Sequence, residues 1–143
     1  MNVDIKITDN SKQVLEEADE QFGALLEALA MAAEDFAKLN ITNFVNDSGK
    51  VGRVDTGAMR NSITHQIIGK EAFIGTNNEY AVYHEFGTGV YASDGNGRKS
   101  PWMFKDRKGV WHYTRGLKPV HFLKYAVTKH KKDYEAIIEK YQK

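Results

Sequence analysis

The sequence predicts a single α+β domain, residues 1–143, in which a long N-terminal helix and a C-terminal helix pack on a mainly antiparallel sheet. Near both ends of the chain, apolar residues recur at three- and four-residue steps, as on one face of a helix. Between these ends, short segments of strand character are separated by glycine-containing turns, as in β-hairpins. With 143 residues, 41% of them hydrophobic and two of them proline, the chain suits one domain with a modest core.

The N-terminal third is predicted to form a short strand followed by a long helix. Apolar and polar residues alternate over residues 3–7, and Asn10 then offers a helix N-cap with Gln13 as its capping-box partner. One amphipathic helix is predicted over residues 11–45, and a break near Asn40 stays open. Its apolar positions are Leu15, Ala18, Phe22, Leu25, Leu29, Ala33, Phe36 and Phe44.

The middle of the chain predicts a hairpin and a short helix. Residues 62–68 and 71–75 have strand character, and Gly69-Lys70 can form the two-residue turn between them. Tyr80, Tyr83 and His84 then lie at helical spacing, and Gly87 is a suitable helix stop.

The last part predicts a loop, a second hairpin and a closing helix. Residues 90–100 are rich in Gly and Ser and are expected to form an exposed, mobile loop. Residues 102–105 and 110–114 predict two strands of a hairpin. Pro119 is predicted to open the closing helix, whose apolar side is Leu123, Ala126, Val127, Tyr134, Ile137, Ile138 and Tyr141.

The charge is distributed unevenly. Residues 1–50 contain 4 Lys/Arg and 10 Asp/Glu, residues 51–97 contain 3 and 5, and residues 98–143 contain 13 and 4, which gives −6, −2 and +9. This polarity suits head-to-tail association of identical subunits, or contact of the basic end with an acidic partner such as nucleic acid. Two solvated helix faces of opposite sign are an equally open interpretation.

Other whole-chain features restrict the function classes. The chain contains no cysteine, so disulfides, thiolate metal sites and cysteine nucleophiles are excluded. The N-terminus resembles no secretory signal, and no stretch approaches the roughly 20 apolar residues of a membrane span. We expect a protein that stays in the cytoplasm unless it leaves inside a larger particle.

The tetrapeptide Asp55-Thr56-Gly57-Ala58 matches the motif that carries the catalytic carboxylate in retroviral-type aspartic proteases. That chemistry requires a buried strand before the motif and a long flap after it. Here the preceding residues 47–53 are polar and loop-like, and Ile67-Ile68-Gly69 follows too soon to leave room for a flap. We therefore predict that Asp55 and Thr56 cap a short helical turn over residues 58–60.

No residue is predicted to be catalytic, cofactor-binding or metal-binding. His84-Glu85 resembles an acid–base pair, but Thr88 stands where a helical zinc motif needs its second histidine. A metal site built from scattered ligands stays open. Gly87-Thr88-Gly89 lacks the Lys-Ser/Thr of a phosphate-binding loop, and no serine lies in a Gly-x-Ser-x-Gly elbow.

A basic segment, residues 98–118, contains aromatic residues between its cations. Its cations are candidates for contact with DNA or with another subunit: Arg98, Lys99, Lys105, Arg107, Lys108 and Arg115, with Lys118 at the end. Stackable rings among cations suit single-stranded nucleic acid. The favoured interpretation is that the rings face the core and the cations lie outside, and in a ring that DNA traverses both could hold.

Several segments together resemble one family. They are Val54-Asp55-Thr56-Gly57 with Arg60-Asn61-Ser62-Ile63, Ile74-Gly75-Thr76-Asn77 with Tyr80-Ala81, Glu85-Phe86-Gly87-Thr88-Gly89, and Pro119 with Phe122-Leu123 and Ala126. In this order and spacing they are similar to the tail-component family of long-tailed phages of the Hong Kong 97 gene-product-ten type. His121 departs from the pattern, because relatives tend to have a proline before the Phe-Leu pair.

The resemblance implies a structural virion morphogenesis protein of a phage or prophage, made in the bacterial host cytoplasm and incorporated in the virion. It implies tail completion or head–tail joining by an α+β ring subunit around the DNA channel. Its partners would be other copies and other connector or tail proteins, with passing contact to DNA and no membrane. It implies no catalytic residue or cofactor, and it gives a structural role to Asp55, Thr56, Gly57, Arg60, Tyr80, Glu85, Phe86, Gly87, Pro119, Phe122 and Leu123.

Overall fold

The computed structural model describes residue 6 and residues 8–44 and 57–142, and it confirms the predicted α+β class. Helices α1 and α2 are followed by the hairpin β1–β2, helix α3, a 3-10 turn, the hairpin β3–β4 and helices α4 and α5. Their bounds are α1 Ser11–Asn43, α2 Ala58–Ser62, β1 Thr64–Ile68, β2 Glu71–Gly75, α3 Ala81–Phe86, the 3-10 turn Gly89–Tyr91, β3 Trp102–Lys105, β4 Trp111–Thr114, α4 Phe122–Thr128 and α5 Lys131–Tyr141.

Helix α1 is continuous, so no break occurs near Asn40. The Asn40 side chain instead donates a hydrogen bond to the carbonyl oxygen of Phe122 at 3.1 Å and ties α1 to α4. The predicted capping box is wrong: Asn10 makes no side-chain cap, and Gln13 donates to Glu17 along the helix. At the start of α1, the carboxylate of Asp9 accepts the Ser11 N–H at 2.9 Å.

The core lies where α1 meets α4 and the segments before and after the first hairpin. Helix α1 contributes small residues there, which let α4 approach closely. Phe122 and Ile63 are fully buried against this face. The core cluster is Ala37, Ile41, Ile63, Ala81, Val120, Phe122 and Ala126.

Two separate antiparallel hairpins take the place of a single sheet. In the first, Thr64 is paired with Gly75 and Ile68 with Glu71, and this hairpin packs on α1. In the second, β3 pairs only with β4 among the strands described.

The C-terminal part is two helices, so the prediction of one closing helix opened by Pro119 is wrong. Helix α4 begins three residues later, because His121 adopts a left-handed conformation with φ 52°. Lys129 and His130 separate α4 from α5. The His130 ring stacks on Phe36 of α1 at 3.7 Å between centroids, which holds this break against α1.

The loop over residues 90–100 is held by backbone hydrogen bonds at its start. The Ser93 N–H donates to the carbonyl of Phe86 at 2.8 Å, and the Gly95 N–H to that of Ala92 at 3.0 Å. Most of its side chains are exposed. Its mobility stays a prediction.

The predicted helical turn after the DTG motif is present as α2. Asp55, Thr56 and the predicted strand over residues 3–7 lie outside the described residues, apart from Lys6. Among the helices described, none is long and apolar enough to span a membrane.

Candidate assembly surface

Glu85 is the buried polar residue that joins α3 to α4. Glu85 is only 6% exposed. Its two carboxylate oxygens accept hydrogen bonds from the N–H groups of Leu123 at 2.8 Å and Lys124 at 3.0 Å. These amides belong to the first turn of α4 and have no partner within the helix. Glu85 therefore caps α4 from 38 residues away, and its carboxylate is engaged in structure rather than held for acid–base work with His84.

The other family-motif residues that the structure describes lie around this contact or around α2. Phe122 is in the core and Leu123 packs against it, whereas Tyr80 and Phe86 are exposed at α3. At α2, Gly57 is buried with φ 81°, and the side chain of Arg60 reaches the hydroxyl of Thr42 at 3.5 Å.

The glycines of the Gly87-Thr88-Gly89 segment permit a close backbone approach. The Thr88 N–H donates to the carbonyl of Leu117 at 2.9 Å, and the Val90 N–H to that of Arg115 at 3.0 Å. Gly89 has φ 61°, and a Cβ there would collide with the Arg115 carbonyl. At Gly87 a Cβ would lie 2.9 Å from the ring of Pro119. This segment therefore fixes the base of the second hairpin to the domain.

An ionic cluster fixes the first hairpin to α1. His65 of β1 lies between Glu34, at 2.5 Å from Nδ1, and Glu27, at 2.7 Å from Nε2. Glu34 also contacts Lys38 at 2.6 Å. The hydrogen bonds to Glu34 and then Glu27 raise the pKa of His65 above its ordinary value, and the bond from Lys38 is the main cause that lowers the pKa of Glu34.

The β3–β4 hairpin, here called the arm, has an exposed apolar face. Opposite residues of an antiparallel pair share a face, and the register pairs Met103 with Tyr113 and Lys105 with Trp111. These four residues form the outer arm face. Met103 is 54% exposed, Trp111 61% and Tyr113 66%, so the prediction that the aromatic residues of this hairpin enter the core is wrong.

The opposite arm face is partly covered. Trp102 borders α3 and the 90–100 loop, with the guanidinium of Arg98 at 5.3 Å from its ring centroid. Phe104 stacks on His112 at 5.3 Å, and His112 contacts Asp106 at 2.7 Å. The bond with His112 is the main cause that lowers the pKa of Asp106. The covered face thus has partners within the chain, while the outer arm face lies toward solvent.

The predicted basic residues are distributed over the arm and its base rather than gathered in one pocket. Lys105 lies over Trp111 with its Nζ at 5.8 Å from the ring centroid. Lys99 donates to the carbonyl of Gly95 at 2.7 Å. Arg107 and Lys108 are exposed in the turn between the strands, and Arg115 is exposed at the arm's base. The arm and its base therefore carry six of the predicted cations against the single acid Asp106.

A second exposed apolar surface lies at the start of α1. Every residue from 11 to 24 is exposed, and Val14, Leu15, Ala18 and Phe22 recur on one side of the helix. Leu15 is 66% exposed. Four acids and one lysine accompany these residues: Glu16, Glu17, Asp19, Glu20 and Lys12.

No cluster in the described residues has three or more histidine or acidic side chains placed to hold a metal ion. Two histidines contact acids in separate places, His65 with Glu34 of α1 and His112 with Asp106 of the arm turn. No local signal in the sequence indicated that Glu85 caps α4, because the cap is formed between distant segments.

These features define a small α+β structural domain with two exposed, oppositely charged surfaces. A family model described as "Bacteriophage HK97-gp10, putative tail-component" matches residues 5–87, more than half of the chain. The chain belongs to this family, which confirms the resemblance and supports a structural role in phage tails. The motif residues Pro119, Phe122 and Leu123 lie beyond the matched segment. No match was found among curated proteins or among solved structures.

Proposed function

We propose that this chain is a structural virion morphogenesis protein that acts in tail completion or head–tail joining. It works as one subunit of a ring around the DNA channel, and it has a mechanical rather than a catalytic role. It is made in the bacterial host cytoplasm and is incorporated in the virion. Its partners are other copies of the chain and neighbouring connector or tail proteins.

The exposed outer arm face is the observation that carries this proposal. Met103, Trp111 and Tyr113 are each more than half exposed on one side of a two-stranded hairpin. Contiguous exposed apolar residues mark interaction surfaces, and Trp, Tyr, Met and Arg are enriched at protein interfaces. A two-stranded hairpin is also marginally stable alone in water, so a partner surface would stabilise the arm.

Gene deletion in the encoding phage tests the proposal. We expect lysates without this gene to contain DNA-filled heads and unattached or incomplete tails in electron micrographs, and a plasmid copy to restore infectious particles. A plasmid copy with an early stop codon is the matched control. Normal infectious particles from the deleted phage would overturn the proposal.

Nucleic-acid binding by the arm is the second candidate function. Arg98 lies against the Trp102 ring and Lys105 against the Trp111 ring, and rings flanked by cations are the groups on which single-stranded bases stack. Anisotropy of a labelled single-stranded oligonucleotide across a salt series measures this binding. Affinity that falls steeply with salt and is lost in Trp111→Ala would favour it, because released counterions scale with the phosphates contacted. Salt-independent or undetectable binding would exclude it.

A further inference from the structure

We infer that the outer arm face of one copy packs on the exposed first part of α1 in the next copy. This inference rests on the proposed function, since it names the surfaces through which the ring subunits meet. The arm face and the helix surface are different surfaces of the same chain, so the contact between copies is heterologous. Each copy uses both surfaces, and the two differ in charge.

The helix surface is defined by the apolar residues Val14, Leu15, Ala18 and Phe22. Three of them are large, and their exposed fractions are 52% for Val14, 66% for Leu15 and 41% for Phe22. A helix normally buries such a stripe against another element. Tyr141, the last residue of α5, and Gln142 after it border Phe22, and the other described residues leave the stripe toward solvent.

The chain segments that carry the two surfaces have opposite net charges. The first part of α1 has four acids and one lysine over residues 11–24, and the arm with its base has six cations and one acid over residues 98–115. Among the described residues, Glu16 pairs with Lys12 at 3.9 Å and Asp19 with Lys70 at 3.8 Å, and both ion pairs are long and exposed. The cations of a second copy can therefore approach these acids without breaking short ion pairs.

The same charges disfavour the symmetric alternatives. An arm that packed on the arm of another copy would bring six cations against six, and a helix on a helix would bring four acids against four. Like charges placed together suppress an interface, whereas opposite charges fix its orientation. A contact between unlike surfaces repeats from copy to copy and closes into a ring when the rotation allows it.

Two variants separate the surfaces. Leu15→Lys with Ala18→Lys places two cations on the helix surface, and Trp111→Glu with Tyr113→Glu places two anions on the outer arm face. The matched controls carry the same added charges at exposed positions of β1 and α5, away from both surfaces: Gln66→Lys with Ala136→Lys, and Gln66→Glu with Ala136→Glu. All the substituted positions are exposed.

Sedimentation velocity at high protein concentration and low salt gives the readout. We expect the wild type and both controls to associate with concentration, and each variant alone to be monomeric. Mixed at equal amounts, the two variants should form a dimer and nothing larger, because only one intact pair of surfaces remains. A monomeric wild type, a variant that associates like the wild type, or a mixture that stays monomeric would overturn the inference.

If a charge variant fails to fold, chemical cross-linking still tests the contact between the helix surface and the outer arm face. Because the chain has no cysteine, Ala18→Cys and Met103→Cys each introduce a single thiol. A short bis-maleimide should link the two variants mainly to each other when mixed, and either variant to itself several-fold less. Equal self-linking would overturn the inference. If either test fails but deletion of the gene still abolishes infectivity, only the proposed contact surfaces are rejected. The proposed tail function would then remain supported.

Discussion

Glu85 and Leu123, 38 positions apart, are joined by a hydrogen bond of 2.8 Å from the Leu123 N–H to the Glu85 carboxylate. The second carboxylate oxygen accepts the N–H of Lys124, so one buried side chain satisfies two amides at the start of α4. This contact connects the Glu-Phe-Gly motif with the Phe-Leu motif of the same chain. Both motifs therefore serve a single structural purpose, the placement of α4 against the core.

Glu85→Ala should destabilise the domain by about 2–4 kcal/mol, because two buried amides lose their acceptor. Glu85→Gln keeps one acceptor oxygen and should cost roughly half as much. Urea unfolding followed by circular dichroism measures both free energies. An alanine variant as stable as the wild type would show that water or another group replaces the carboxylate.

Stability should fall as the pH rises above neutrality, because of His65. Its pKa is raised in the folded state, so the stabilisation is fully present below about 6.5, the pKa of an unfolded histidine, and is lost as the pH passes through the folded value. Between pH 6 and pH 8, the free energy of unfolding should change less in His65→Gln than in the wild type. This range lies around the ordinary histidine pKa of about 6.5. His121→Asn is the matched control, since the His121 ring contacts Ser93 and Tyr125 rather than an acid among the described residues. Equal pH profiles for the wild type and His65→Gln would contradict this prediction.

Gly89→Ala should lower the free energy of unfolding more than Gly69→Ala, although the two glycines have similar φ angles. Both glycines have positive φ, 61° and 62°, so each substitution carries the left-handed penalty of roughly 1–2 kcal/mol. At Gly69 an added Cβ meets nothing within 4 Å, whereas at Gly89 it collides with the backbone of Arg115. Because of this collision, we expect Gly89→Ala to destabilise the domain by about 1–3 kcal/mol or more beyond the effect of Gly69→Ala. Equal unfolding midpoints would mean that the hairpin base shifts freely.

His121 should tolerate glycine but not proline. Its φ of 52° suits glycine, and proline requires a φ near −65°. The ring itself contributes little: its buried Nδ1 has no hydrogen-bond partner among the described residues, Nε2 makes one long contact of 3.5 Å with the Ser93 hydroxyl, and the ring packs edge-on against Tyr125. His121→Gly should stay within about 1 kcal/mol of the wild type, and His121→Pro should lose about 2 kcal/mol or more in urea unfolding. A stable proline variant would indicate that this turn can adopt the geometry expected of proline-containing relatives.

Local patterns predicted the elements but not how they are joined. Helix α1 and the strands of both hairpins were predicted nearly at their bounds, because periodicity and turn residues are local signals. At the break between α4 and α5, His130 stacks on Phe36 of α1, a contact between segments far apart in the sequence that no local pattern indicates. The arm segments and the turn between them predicted a hairpin, yet they cannot tell whether Trp111 is covered, because coverage depends on distant segments. The candidate cations were predicted by position, and their role stays a prediction.

Reversing the charge of the arm turn should block tail completion without unfolding the subunit. Arg107→Glu with Lys108→Glu changes the net charge by −4 at two exposed positions, and Lys131→Glu with Lys132→Glu on α5 is the matched control with the same change. One exposed ion pair contributes only about 0–1 kcal/mol, but the same loss recurs at every contact of a ring. We therefore expect the arm variant, supplied to a phage that lacks the gene, to lower the titre by about tenfold or more, a change that corresponds to about 1.4 kcal/mol. The control variant should restore a normal titre, and urea unfolding should show both proteins folded. Infectious particles at the normal level with the arm variant would show that these charges do not orient the subunit, even though the chain belongs to the tail-component family.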